Sequence, residues 1–318
     1  MAKDTEQPIS DPNPDGTPDN SAVRIGPDRL PEAIKALVRG DKAAARRFLD
    51  YAEASELPLD LIWSLVTPKG NIEATVLVTP SAGRTAMVFA SRPPADDRIA
   101  DMGQLIRTAV DGLRDQPITL AQALLDPGAR DEHRIFEAGG FNRLAQLDYL
   151  ERPIPRFKTI TSPTLDEDVT IEAWNPEERK KMISLLESTY KDTLDCPGLT
   201  GMRSTNDILE GHIASGVFTP KWWHVLHVDG KPEGVALFNR SSDGNTIELV
   251  YLGISREIRG RGLGKILLTH GLSALDGESG RAIVLAVDRE NSPAIHLYRR
   301  LGFRVSVKRV AYVRQVPI

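Results

Sequence analysis

The sequence predicts an α/β protein: a mixed α+β sheet fold that occurs twice in tandem. Three observations lead there. The chain has 318 residues, enough for two domains. Period-two apolar stretches alternate with helix-period stretches along it. And the window "LAQALLDPGARDEHRIFEAGGF", ending at Phe141, keeps the frame of "AIVLAVDRENSPAIHLYRRLGF", ending at Phe303, at an offset of 162 residues. Held without gaps, the offset puts Asp126 on Asp288, Phe136 on Tyr298, Leu105 on Leu267, Val88 on Val250 and Lys69 on Lys231. The apolar and polar positions keep step over roughly 80 residues, which points to a structural duplication.

Each copy opens on helix patterns: "PEAIKALV" with "AARRFLDYAE" in the first, "PEERKKMISLLESTY" in the second. A hairpin follows ("LIWSLVTPKGNIEATVLVT"; "WWHVLHVDGKPEGVALFNR"), then a strand ("RTAMVFAS"; "TIELVYLGIS") and a helix. A short apolar strand leads to another helix that ends in Gly-Phe, and a last strand closes the unit ("RLAQLDYLER"; "VSVKRVAYVR"). Ser292 as N-cap, Pro293 in the first turn and Gly302 past the end punctuate the final helix of the second copy. Residues 1–22, rich in Pro, Asp, Asn and Gly, predict a disordered tail. The expected limits are 23–152 for the first unit, 153–164 for a proline-spaced linker and 165–318 for the second unit. The second copy carries an additional segment from Lys191 to Gly216, with Asp192, Asp195, Cys196, Arg203 and His212 as possible substrate contacts.

Composition narrows the function classes. With 41% hydrophobic and 26% charged residues, this is an ordinary globular chain. A net charge of −4 argues against a general nucleic-acid binder. The single cysteine, Cys196, excludes an intramolecular disulfide framework and suits a reducing compartment. No apolar run approaches the roughly 20 residues that cross a bilayer, and the N-terminus has no signal-peptide pattern, so the expectation is a cytoplasmic protein without a membrane partner. The histidines show no metal-ligand spacing, and no metal is expected.

The chemistry concentrates in "SREIRGRGLGKILLTHGL", from Ser255. Gly260, Gly262 and Gly264 follow a strand and precede a helix whose face is marked by Leu263, Ile266 and Leu267. Missing Cβ atoms let amides approach a ligand, and a helix N-terminus has unpaired N–H groups and partial positive charge. With Arg256, Arg259 and Arg261 alongside, this describes an anion site suited to a diphosphate. The spacing fits neither a dinucleotide G-x-G-x-x-G turn nor a P-loop, because Lys265 is followed by Ile266.

Arg259-Gly260-Arg261-Gly262-Leu263-Gly264 after "ELVYLGIS", followed by "VDRENSPAIHLYRRLGF", resembles the GNAT superfamily of acetyl-CoA-dependent N-acyltransferases. The resemblance implies two tandem GNAT-like folds, the first degenerate. It implies pantetheine between two splayed strands, paired with backbone near Leu252 and Ile254, and a pyrophosphate on the amides from Arg259 through Lys265. Asn291 would bond the pantetheine arm, and Tyr298 would stand at the general-acid position. It also implies direct transfer of acetyl from acetyl-CoA to the amine of a small molecule or a peptide. A CoA-binding regulatory module without turnover is one alternative; a protein acetyltransferase using the first unit for recruitment is the other. Alkylammonium groups have a pKa of about 10.4, so the acceptor needs a base. Glu248 is the candidate, expected by period-two alternation to share a strand face with Val250, Leu252 and Ile254. Asp288 recurs as Asp126, which suggests a structural strand end. In the first copy Asp97, Ala100, Met102, Ala129, Phe136 and Ala86 stand where Arg259, Gly262, Gly264, Asn291, Tyr298 and Glu248 stand in the second. That unit is expected to lack CoA and to wall the acceptor site.

Overall fold

The computed structural model describes residues 21–316 other than 39, 41, 55, 56, 94 and 156–159. The first half runs β1 (Ser21–Arg24), α1 (Leu30–Val38), α2 (Lys42–Ala54), β2 (Ile62–Val66), β3 (Ile72–Ser81), β4 (Thr85–Ala90), α3 (Ile99–Asp111), β5 (Leu120–Leu125), α4 (Arg130–Ala138) and β6 (Asn142–Pro153). The second half runs β7 (Val169–Ala173), α5 (Arg179–Tyr190), α6 (Thr205–Ile213), β8 (Trp223–Val228), β9 (Lys231–Arg240), β10 (Thr246–Ile254), α7 (Leu263–Leu275), β11 (Ala282–Asp288), α8 (Ser292–Arg300) and β12 (Arg304–Gln315). Helix α8 and strand β12 begin and end 162 residues after α4 and β6, so the duplicated frame is a duplicated structure. The expected tail falls outside the described residues as far as residue 20. Its last two residues, Ser21 and Ala22, are strand instead, pairing with Val66 and Leu65.

Among the described residues, twelve strands form one sheet in the order β1-β2-β3-β4-β5-β12-β6-β11-β10-β9-β8-β7. The last strand of each half is exchanged. β6 pairs antiparallel with β11, from Pro153–Ala282 to Leu147–Asp288. β12 pairs with β5, from Leu125–Val310 to Leu120–Gln315, and the two exchanged strands pair with each other at the centre. Neither half of the chain therefore closes its own sheet. The join leaves no open strand edge between the halves, and unpaired edges are what invite mispairing.

Four apolar clusters fix the helices. α3 and α4 bury Met102, Leu105, Ile106, Ile135 and Phe136 over the first half of the sheet, and α1 packs Ala33 and Ile34 in a separate cluster with Ile62 and Leu77. In the second half, α7 and α8 bury Leu263, Leu267, Leu272, Ile295 and Tyr298 with Ile283, Leu285 and Val287. α5 and α6 bury Met182, Leu185, Leu186 and Leu209 with Trp223, Val235 and Leu237. Each large side chain buried in this way contributes about 1.5–3 kcal/mol.

Candidate active site

The two central parallel strands of the second half part after three residue pairs. β10 pairs with β11 only at Thr246–Ala282, Ile247–Ile283 and Glu248–Val284. Both strands keep their outer partners, β10 as far as Ile254–Gly234 and β11 as far as Asp288–Leu147. From Leu249 onward the inner edge of β10 faces no strand, which leaves a wedge of unpaired backbone able to accept an extended ligand. The first half has the same opening, with β4 and β5 paired only over Thr85–Met87 and Leu120–Gln122.

The glycine turn follows the end of β10. Gly260 and Gly262 sit at φ +83° and +80°, a region costly for L side chains, and a Cβ on either would meet no heavy atom within 4 Å. Gly262 is the N-cap of α7, and its carbonyl accepts from Lys265 N–H at 3.0 Å and Ile266 N–H at 3.2 Å. Arg259 N–H is bonded to Arg256 O at 3.3 Å. Among the described residues the amides of Gly260, Arg261, Gly262, Leu263 and Gly264 have no acceptor, so the bare run is narrower than expected: Arg259 and Lys265 are already engaged. The side chain of Arg259 is engaged too. It donates to Ile254 O (3.1 Å), Asp192 O (2.9 Å), Thr189 O (3.0 Å) and Lys191 O (2.8 Å). It is a clamp that ties the turn to the end of α5. Arg256 and Arg261 form exposed pairs with Asp192 (2.6 Å) and Asp168 (3.3 Å). In the first half, α3 begins at Ile99, whose counterpart is Arg261. Helix thus occupies the positions of the bare turn, Arg98 pairs with Glu73 at 3.3 Å, and Met102, the counterpart of Gly264, is fully buried.

A β-bulge corrects the expected strand face. The β10–β9 register slips between Leu249–Phe238 and Tyr251–Leu237, so Val250 is the additional residue and alternation breaks there. Leu252 and Ile254 pack on the α7 side, whereas Val250 and Tyr251 pack on the α5–α6 side. Glu248 does not share a face with Leu252 and Ile254; its carboxylate accepts from Ser215 Oγ, just past α6, at 2.9 Å. Burial pushes the Glu248 carboxyl above its ordinary range, and the Ser215 hydroxyl partly offsets that. The neighbouring Asn239 is held by Trp223 Nε1 (2.8 Å) and donates to His212 O (2.7 Å) and Ser215 O (2.8 Å), which fixes the segment that carries Ser215.

Tyr149, which sequence reasoning missed, comes from the exchanged strand β6. It pairs with Ala286, two residues along β11 from the partner of Glu248, so it shares the Glu248 face. Its phenol is raised mainly by burial, with Glu248 nearby adding to the effect. Only the strand exchange brings it there, and no local pattern signals that. Tyr298 is buried in α8 with Phe303 edge-on at 5.8 Å. Burial, then Asp195 and Tyr251, hold its phenol far above its ordinary range, so it stays protonated. Asn291 caps α8 through Ala294 N–H at 3.3 Å and also bonds Asp195; its polar groups are engaged within the protein. Asp195 accepts from Asp288 N–H at 2.9 Å, and Asp288 accepts from Cys196 N–H at 3.2 Å and Glu290 N–H at 3.0 Å. Asp126 accepts from Gly128 N–H at 2.8 Å in the same way, which accounts for the recurring aspartate as a strand-end cap.

A cavity of about 360 Å³ lies between the halves beside Ser215. Ser81, Ala82 and Thr85 line it from the first half, and Arg203, His212 and Ser215 from the second. Arg203 donates to Gly83 O (3.1 and 2.8 Å) and to Asp207 O (2.9 Å), pinning the β3–β4 turn as a wall. Burial lowers His212 to about 4, so it is neutral at pH 7, stacked on Tyr251 and bonded to the Tyr190 hydroxyl at 3.2 Å. Among the described residues no helix is long and apolar enough to cross a membrane.

Residues 187–303 match the model of the acetyltransferase (GNAT) family. The chain is 26% identical over 254 residues to a mycothiol acetyltransferase of Rhodococcus erythropolis (strain PR4 / NBRC 100887), covering 73% of this chain and 82% of that protein. A shorter stretch, 45% identical over 56 residues, matches a mycothiol acetyltransferase of Arthrobacter sp. (strain FB24) over 18% of this chain and 17% of that one. Among solved structures, a GCN5-related N-acetyltransferase from Sphaerobacter thermophilus superimposes with a TM-score of 0.60 at 18% identity, covering 94% and 96% of the two chains. A tandem GNAT protein from the clavulanic acid biosynthesis pathway does so at 0.53 and 15% identity, covering 94% and 99%. The chain has the fold of two GNAT units in tandem, and its residues 187–303 match the acetyltransferase (GNAT) family.

Proposed function

We propose that the second unit moves the acetyl group of acetyl-CoA directly onto an amine, and that the first unit binds no CoA but walls the acceptor site. One observation carries this: the wedge between β10 and β11 leads to five bare amides at Gly260–Gly264, while a buried carboxylate, Glu248, faces the other side of the same strand. The amides hold the diphosphate, and the inner edge of β10 near Leu252 and Ile254 pairs with the pantetheine arm. Glu248 takes the proton of the attacking ammonium, directly or through water; its raised carboxyl makes it a better match to that task than an exposed glutamate. The amine nitrogen then bonds to the thioester carbonyl. A backbone N–H at the bulge, around Val250 to Leu252, faces the oxyanion. Collapse breaks the C–S bond; the nitrogen gives up its second proton to the departing sulfur, which leaves as the CoA thiol, and the protonated Tyr298 donates a hydrogen bond to that sulfur. In the first half, helix α3 covers the equivalent turn and Phe136 replaces Tyr298, which supports its non-binding role.

The test is release of free CoA from acetyl-CoA across a panel of amines, amino acids and peptides, beside calorimetric titration of CoA. Glu248→Gln is expected to lower kcat/KM by about 10²–10⁴-fold with CoA affinity unchanged. CoA binding without release for any acceptor would instead support a regulatory module.

A further inference from the structure

We infer that the acceptor is an amino-acid-sized amine carrying a carboxylate, and that Arg203, in the cavity between the two halves, receives that carboxylate. The inference rests on the proposed transfer reaction and adds the class of its acceptor.

The cavity is set beside the base. Ser215 lines it, and the same hydroxyl donates to Glu248 at 2.9 Å. Val250, the bulged residue of β10, lines it as well. An amine placed at Glu248 therefore directs the rest of its molecule into this space. The volume, about 360 Å³, equals roughly a dozen waters at about 30 Å³ each, the scale of an amino acid or a dipeptide.

Among the described residues, Arg203 is the only one lining the cavity with a formal charge at pH 7. All three of its hydrogen bonds go to backbone carbonyls, two to Gly83 O and one to Asp207 O. Among the described residues no carboxylate lies within ion-pair distance of its guanidinium, and Nη1 has no acceptor. Arg84 and Arg259 are likewise held by backbone carbonyls, whereas Arg179, Arg240 and Arg256 each pair with a carboxylate; unlike Arg84 and Arg259, Arg203 lines this cavity. Burial disfavours the charge of Arg203, and a half-buried cation facing a cavity is stabilised by an anion entering it. Ser81 and Thr85 line the cavity from the first half. A polyamine is disfavoured, because its second ammonium would meet the guanidinium at close range. The wall itself depends on the first half, whose β3–β4 turn Arg203 holds in place.

The experiment is steady-state CoA release by the full-length protein with matched acceptors: alanine, alaninamide, ethylamine and 1,4-diaminobutane, followed by a set of other amino acids with their carboxamides. At least one amino acid is expected to have a KM about tenfold or more below that of its own carboxamide, with the diamine poorest. Arg203→Gln is expected to remove the difference within the pair, while Arg203→Lys retains part of it. The wild-type comparison stands even if the variants fold poorly, and CoA titration of each variant reports an intact cofactor site. Release from carboxamides or simple amines with no advantage for the acid overturns the inference and keeps the transfer reading. Release with none of these amines overturns the inference; release obtained only with peptides keeps the transfer reading, and none with peptides either overturns both.

Discussion

Replacing Gly262 by alanine separates a glycine needed for the turn from a glycine needed for the ligand. Gly262 lies at φ +80°, and Gly70, in the β2–β3 turn, lies at φ +84°. A Cβ at either position would meet nothing within 4 Å. The backbone cost of an L residue in this region is about 1–2 kcal/mol, so both alanine variants should lose that stability. The melting temperature should fall by about 2–4 °C per kcal/mol in each. Only at Gly262 is the new methyl added within the run of five bare amides. If it blocks two of those bonds to a charged oxygen, worth about 1.5–3 kcal/mol each, the loss is about 3–6 kcal/mol. The dissociation constant for CoA then rises by about 10²–10⁴-fold for Gly262→Ala and stays unchanged for Gly70→Ala. Calorimetric titration alongside thermal melts measures both quantities on both variants. Equal CoA affinity in the two would refute the assignment of the diphosphate to this turn.

Arg259→Ala removes four hydrogen bonds that join the turn to the α5 end; melts should show a loss of about 2–4 kcal/mol, and Arg259→Lys should recover little of it, since an ammonium lacks the planar fork. Tyr149→Phe should lower kcat while leaving the CoA dissociation constant unchanged, because the residue shares the Glu248 face and lies away from the glycine turn; weakened CoA binding with unchanged kcat would count against it. The Glu248 carboxyl is raised above 4.5 by burial, so a pH–rate profile should lose activity as pH falls through that raised value, above where an exposed glutamate titrates. The folded state holds this proton more tightly than the unfolded state does. The stabilising share therefore belongs to the protonated form, is complete below 4.5 and is lost as pH rises through the folded value. Glu248→Gln should accordingly raise the melting temperature at neutral pH while it lowers activity.

The duplicated frame, the order of elements and the glycine turn were legible because each is local: period, punctuation and bare glycines sit in contiguous residues. Gly260, Gly262 and Glu248 could be chosen that way. The strand exchange could not. β6 and β12 have equal length and the same place in the repeat, so either fits either sheet, and the choice depends on partners more than a hundred residues apart. Tyr149 was invisible for that reason. The bulge at Val250 was hidden as well, since alternation of apolar residues continues through it while the backbone slips by one; Leu252 and Ile254 were thereby assigned the wrong face relative to Glu248. Arg259 looked like a ligand for phosphate by its charge. Its actual partners are carbonyls at Thr189, Lys191, Asp192 and Ile254, which only the fold brings together.

If unbonded main-chain N–H groups of the second unit alone hold the diphosphate of CoA, hydrogen–deuterium exchange with and without CoA reads this out at single segments. Amides at Gly260–Gly264 have no acceptor in the ligand-free protein, so the account predicts fast exchange there that slows strongly on binding, with the segment around Asp97–Met102 unaffected. Protection at Asp97–Met102, or none at Gly260–Gly264 in a saturated sample, would contradict it.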